Sequence, residues 1–130
     1  MKKLILILAI FLSACGTISG PANFDNNEYA LVNRIYTLAD VYKLGCNDPE
    51  KTKRNFDKLA ELSMELLNYS SDLPNNLDTV KLVNPLNKMI SDADIKFNQE
   101  AHTVTYCKLK LDNINTSAGI VKEAIAKRRR

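Results

Sequence analysis

Tryptophan is absent from the chain, histidine occurs once, and glycine and proline occur only four times each. With His102 as the sole histidine, Ser/His/Asp or Cys/His catalysis would depend on that one side chain. It falls off the apolar positions of its segment and reads as a solvated helix residue. The glycines form no phosphate-cradling loop. Asp92 and Asp94 are spaced by two, which puts them on different helix faces, and they lack the glycine and glutamate of a calcium loop. The cysteines form no Cys-x-x-Cys pair, which disfavours a catalytic thiol. The expectation is a protein that is not an enzyme, with no metal and no cofactor. The formal charge is only +3. Lys2 and Lys3 lie in a leader segment and Lys127, Arg128, Arg129 and Arg130 crowd the other end, so the stretch between is slightly acidic. That balance disfavours a general nucleic-acid binder.

What is present begins with an address. Lys2 and Lys3 form a positive start, and Leu4 to Leu12 is an unbroken apolar run. The run is too short for a bilayer span, which needs roughly 20 residues, but it suits a secretory signal peptide. It ends in Leu12-Ser13-Ala14-Cys15-Gly16, which resembles the bacterial lipobox. In lipoproteins with that motif the cysteine is acylated and becomes the new N-terminus. Residues 1–14 are then a removed signal peptide, Cys15 carries lipid, and residues 15–27 are a flexible tether. Residues 28–130 make one periplasmic domain. Glycine rather than aspartate at position 16 points to the outer membrane. Composition agrees with a single folded domain, at 45% hydrophobic and 25% charged.

With Cys15 assigned to lipid, Cys46 and Cys107 remain, and in the oxidising periplasm they read as one intrachain disulfide. Its loop of about 60 residues is worth up to ~4 kcal/mol on the chain-entropy model. The mature chain reads as helical throughout. From Asn27, an N-cap candidate, Leu31, Val32, Ile35, Leu38, Ala39 and Tyr42 fall at helical spacing, and Gly45 supplies a stop. Asp48-Pro49 opens a second helix carrying Phe56, Leu59, Ala60, Leu62, Leu66 and Leu67. Leu77 to Val83 reads as a short helical turn at most. Asn84-Pro85 then opens a third helix with two lanes of seven-residue spacing. One lane is Ile90, Phe97, Val104, Leu111, Ala118 and Ile125; the other is Leu86, Ala93, Glu100, Cys107, Ile114 and Val121. Only Glu100 is polar, as in a coiled-coil seam. Asn113, Asn115, Thr116, Ser117 and Gly119 are the places where that helix would bend. The expectation is an all-α, small up-down helical bundle of three to four helices with one disulfide. A second helix of about 22 residues descends roughly 33 Å, and a third rising from Pro85 regains that height near Cys107, level with Cys46.

Two features are left over. Leu111, Ile114, Ala118, Val121 and Ile125 lie beyond Cys107 and must fold back or find a partner. The basic end, Lys127 to Arg130, either caps a helix dipole or contacts anionic lipid head groups or an acidic partner.

Taken together, the lipobox, the short tether, the segment Leu38-Ala39-Asp40-Val41-Tyr42-Lys43 running into Cys46-Asn47-Asp48-Pro49, and a second cysteine before the last helical segment resemble the PulS/OutS-type pilotins of type II secretion. The resemblance covers residues 1–49 and roughly 104–130. It implies a small helical outer-membrane lipoprotein with a disulfide tying the first helix to the last. It also implies a protein partner, the C-terminal helix of a secretin subunit, which is bound in an apolar groove and piloted to the outer membrane. Carried over, Cys46 and Cys107 form that disulfide, and Leu38, Ala39 and Tyr42 lie near the groove. The helical stripe adds Leu31, Val32 and Ile35. The rival class is a coiled-coil lipoprotein, such as a phage outer-membrane spanin subunit pairing through the heptad seam, or an exclusion lipoprotein.

Overall fold

The computed structural model describes residues 20–130, so the expected signal peptide, Cys15 and the first part of the expected tether lie outside the described residues. Those residues form four helices and no strand: α1 (Asn26–Tyr42), α2 (Pro49–Asp72), α3 (Leu77–Gln99) and α4 (Val104–Ala126), with a 3-10 turn at Lys43–Gly45 closing α1. The Asp25 side chain accepts a hydrogen bond from the Glu28 N–H and caps α1, so the helix starts just before the Asn27 cap expected from sequence. Asp48 caps α2 in the same way, with Pro49 in the first turn, where its missing N–H breaks no helical bond.

The third helix departs from the sequence expectation. It starts at Leu77, runs through Pro85 and stops at Gln99. Pro85 is exposed, so water can take the Lys81 carbonyl that the proline leaves without a donor. The chain then turns through residues 100–103, and Thr103 accepts from the Tyr106 N–H to cap α4. Glu100, the one polar residue in the two lanes, sits at this break. The heptad phase runs across the turn without a continuous helix beneath it, and Val104 is left exposed. No break occurs at Asn113 to Gly119. There the poor helix formers serve packing on α1: the Asn115 amide donates to the Tyr36 carbonyl (2.8 Å), and Gly119 lies beneath the Tyr36 ring.

Contacts at both ends show an up-down-up-down bundle in which α4 returns beside α1. At one end, Cys46 and Cys107 are bridged with their Cα atoms 5.8 Å apart, joining the end of α1 to the start of α4. The level match comes from the whole of α3 plus a reversal, not from one long rising helix. Lys43 reinforces the junction, bonding Asp112 on α4 (2.6 Å) and Asp40 (2.8 Å). The hydrogen bond to Asp112, followed by that to Asp40, holds its ammonium pKa up at about 12. Beside this junction, Phe56 and Phe97 stack with centroids 4.2 Å apart. Leu111, Ile114, Ala118, Val121 and Ile125 are all buried against the bundle, so the apolar surplus has folded back.

At the other end the first turn of α1, the last of α2, the first of α3 and the exit of α4 meet in one polar network. Glu28 has no exposed surface. Its carboxylate accepts from Ser70 Oγ (2.7 Å), Asn76 Nδ2 (2.6 Å) and Arg128 Nη1 (2.6 Å). The second Arg128 nitrogen donates to Asn76 Oδ1 and Thr79 Oγ1. Asn76 stands at the N-cap of α3, yet its amide bonds Glu28 and the Ser70 carbonyl instead of the helix. Around this network the incoming chain is pinned: Ala22 N–H donates to the Asn75 carbonyl and Phe24 N–H to the Arg129 carbonyl. Asn75 adopts a left-handed conformation (φ 58°), as asparagine tolerates in a turn. Residues 22–25, which fall within the stretch expected as a tether over residues 15–27, therefore pack with the bundle.

Two outcomes follow for stability. Arg128→Ala should cost ~3 kcal/mol by stranding a buried carboxylate, while Lys127→Ala and Arg129→Ala should stay within ~0.5 kcal/mol. Denaturant melts of the three variants check this, and equal losses would remove the special role of Arg128. Replacing Cys46 and Cys107 together by serine should cost ~3 kcal/mol, read the same way.

Candidate partner-binding face and neighbouring sites

The stripe on α1 divides in two when the bundle is assembled. Val32, Ile35 and Ala39 have no exposed surface and pack in the core, so they offer nothing to a partner in this conformation. Leu31, Leu38 and Tyr42 are half-buried and pack on the edge of that core. The line along α1 on which Leu31 and Leu38 lie also carries Asn27 and Arg34. Asn27 Nδ2 donates to the Tyr69 hydroxyl on α2, and Arg34 is close enough to act on the Glu61 carboxyl, whose pKa is lowered chiefly by its bond to Lys58. Leu31, Leu38 and Tyr42 therefore border the α1–α2 seam. Val41, one turn on from Leu38, is half exposed beside them. What remains of the expected groove is a shallow apolar strip along that seam.

Near the disulfide the surface is more indented. A cleft of about 200 Å³ is lined by Cys46, Thr52, Phe97, His102 and Cys107, among others. His102 is not a solvated helix residue. It lies in the turn between α3 and α4, with its ring 4.7 Å from both Phe97 and Tyr106 and Nε2 3.2 Å from the Lys96 carbonyl. Its role is packing at the reversal, a position that helical spacing had no means of assigning. Beyond it, Leu44 in the 3-10 turn is 83% exposed, with Val104 and Lys108 lining the same shallow hollow.

Sequence reasoning found the Asp92 and Asp94 pair but not the partner of the second. Asp92 bonds Lys88 on the surface. Asp94 turns toward Asp57 on α2, and one amide, Asn98 Nδ2, donates to both carboxylates at 2.9 and 3.0 Å. Desolvation first, then the neighbouring Asp57 carboxylate, push the Asp94 carboxyl up from its ordinary value of 3.8 to about 6, with the Asn98 amide opposing. The periodicity of each helix was legible, whereas the facing of two acids across helices depends on their relative rotation. Among the described residues no group of three or more His, Cys, Asp or Glu side chains is placed to hold a metal ion. No described helix is long and apolar enough to cross a membrane.

Comparison with family models gives no match for this chain, and neither curated proteins nor solved structures match it.

The Asp94 carboxyl has a defined pH signature. Because its folded-state pKa is raised, its contribution to stability is fully present below about pH 4 and is lost as pH rises through about 6. Asp94→Asn should therefore raise Tm over wild type at pH 7.5 by an amount equivalent to ~1 kcal/mol, after allowance for solvent screening. At pH 4 the gap should close. Thermal melts of both proteins across that range check it, and a gap independent of pH would contradict the assignment.

Proposed function

We propose that the chain is an outer-membrane lipoprotein, anchored through Cys15, whose helical domain binds the C-terminal tail of a secretin subunit and pilots it to the membrane. The observation that carries this reading is the Cys46–Cys107 bridge, which ties the end of the first helix to the start of the last within a small all-helical domain. That is the covalent arrangement implied by the resemblance to the PulS/OutS-type pilotins. The tail, an amphipathic segment with little structure of its own, would become a helix on binding and lay its apolar face along Leu31, Leu38 and Tyr42. Val32, Ile35 and Ala39 form the rigid floor behind those side chains. The bridge and the α4 packing hold α1 in place, which lowers the ordering cost on the domain's side. The coiled-coil alternative rested on the heptad seam from Leu86 to Ile125. With that seam buried in the bundle except for Glu100 and Val104 at the turn, no feature of the described surface favours it.

The direct test is in-cell crosslinking of the tagged, lipidated chain, with capture and mass spectrometry. Recovery of a secretin subunit is expected, and it should disappear when the secretin's C-terminal tail is deleted. Recovery of a small inner-membrane coiled-coil protein and no secretin would replace this reading by its rival. In purified components, Leu38→Asp and Tyr42→Asp should each weaken tail binding by about tenfold or more, roughly 1.4 kcal/mol, while circular dichroism shows a folded domain. Undiminished affinity in both variants would remove the α1–α2 strip as the binding face.

A further inference from the structure

The tether and the basic end of the chain leave the bundle side by side. Gly20, Pro21 and Ala22 line one wall of an open cleft of about 650 Å³, and Lys127, Arg128 and Arg129 line the other. Among the described residues no carboxylate lines it. Arg128 turns inward to Glu28, but Lys127, Arg129 and Arg130 remain exposed, with the Arg130 guanidinium 4.8 Å from the centre of the Phe24 ring. Among the acids of this end, the Asp25 carboxylate is occupied by the Glu28 N–H and the Tyr69 hydroxyl. Asp72 and Asp78, at the ends of α2 and α3, form no part of the cleft, and Glu123 lies a turn back along α4.

We propose that this end of the bundle is a docking face for the anionic phospholipid head groups of the membrane that holds the Cys15 anchor, with Lys127, Arg129 and Arg130 making the contact. The inference rests on the anchor reading of Cys15. Gly20 lies only five positions beyond Cys15. At 3.3–3.6 Å per residue that span is at most about 18 Å, so the basic wall beside Gly20 is held close to the lipid surface. The field of an anionic surface acts over roughly 10 Å, and juxtamembrane lysine and arginine are the side chains it attracts. The two ends of the bundle then differ in role. The α4 exit faces the lipid, and the disulfide end points away from it. The α1–α2 strip runs between them.

The test uses the lipidated full chain in phosphatidylethanolamine vesicles, with or without a quarter of phosphatidylglycerol, each containing a trace of head-group nitroxide lipid. Relaxation of backbone amides then reports which end lies at the surface. With phosphatidylglycerol, broadening at Gly20, Ala22 and residues 127–130 should exceed that at Cys46 and Asn47 by about threefold more than in neutral vesicles. The triple variant K127E/R129E/R130E, checked for folding by circular dichroism, should abolish that increment. A ratio indifferent to phosphatidylglycerol, or unchanged in the folded triple variant, overturns the docking face. The mass of the Cys15 peptide reports acylation separately. An acylated Cys15 with an unchanged ratio sinks the docking face alone, and a Cys15 without acyl chains sinks the anchor reading with it.

Discussion

A carboxylate with no access to water sits where all four helices come together, and one arginine from beyond the last helix balances it. The Glu28–Arg128 pair is the constraint on which the open end of the bundle depends. An uncompensated charge there would be costly, because the desolvation of a carboxylate is repaid only by a partner of opposite charge and by saturated hydrogen bonds. Ser70 from the last turn of α2, and Asn76 and Thr79 from the start of α3, complete that saturation. Glu28 therefore acts as a keystone. It fixes the entry of α1, the α2–α3 turn and the exit of α4 relative to one another, where the apolar core alone would tolerate sliding.

The opposite end is closed covalently. Cys46 and Cys107 join α1 to α4, and Lys43 bridges the same two helices to Asp112. The helix given the binding role in the proposed function is thus fastened at one end by charge and at the other by sulfur. Between those fastenings its inner stripe is core and its flank is a strip along α2. Such a helix presents a preformed edge to a peptide, which favours binding by lowering the domain's own ordering cost.

The helices and the disulfide were readable because they rest on short-range rules. The Leu31 to Tyr42 spacing, the Asp48-Pro49 start and the count of cysteines each concern residues close in sequence or a single pairing choice. The reversal at residues 100–103 was not readable. Ala101 favours helix, the heptad phase continues, and the stop is set by Thr103 capping and by packing of His102 between Phe97 and Tyr106. The start of α3 was hidden in a related way, since Pro85 mimics a helix opening while the helix already runs from Leu77. Of the six stripe residues offered as a groove, periodicity could name the apolar face. It could not separate Val32, Ile35 and Ala39, which meet the core, from Leu31, Leu38 and Tyr42 at its rim.

An all-helical domain with one disulfide, and the expectation of an anchor at Cys15, follow from the order of residues alone, because side-chain periodicity, caps and cysteine arithmetic are local quantities. Assembly of the helices settles the rest: the apolar surplus beyond Cys107 packs inward, Asp94 faces Asp57, and Arg128 enters the bundle while its neighbours stay outside. Those outcomes depend on how far each helix is rotated about its own axis and on which helix it lies beside. A basic run such as Lys127 to Arg130 carries the same local signal at every position. The buried carboxylate 100 residues earlier, at Glu28, distinguishes one of the four.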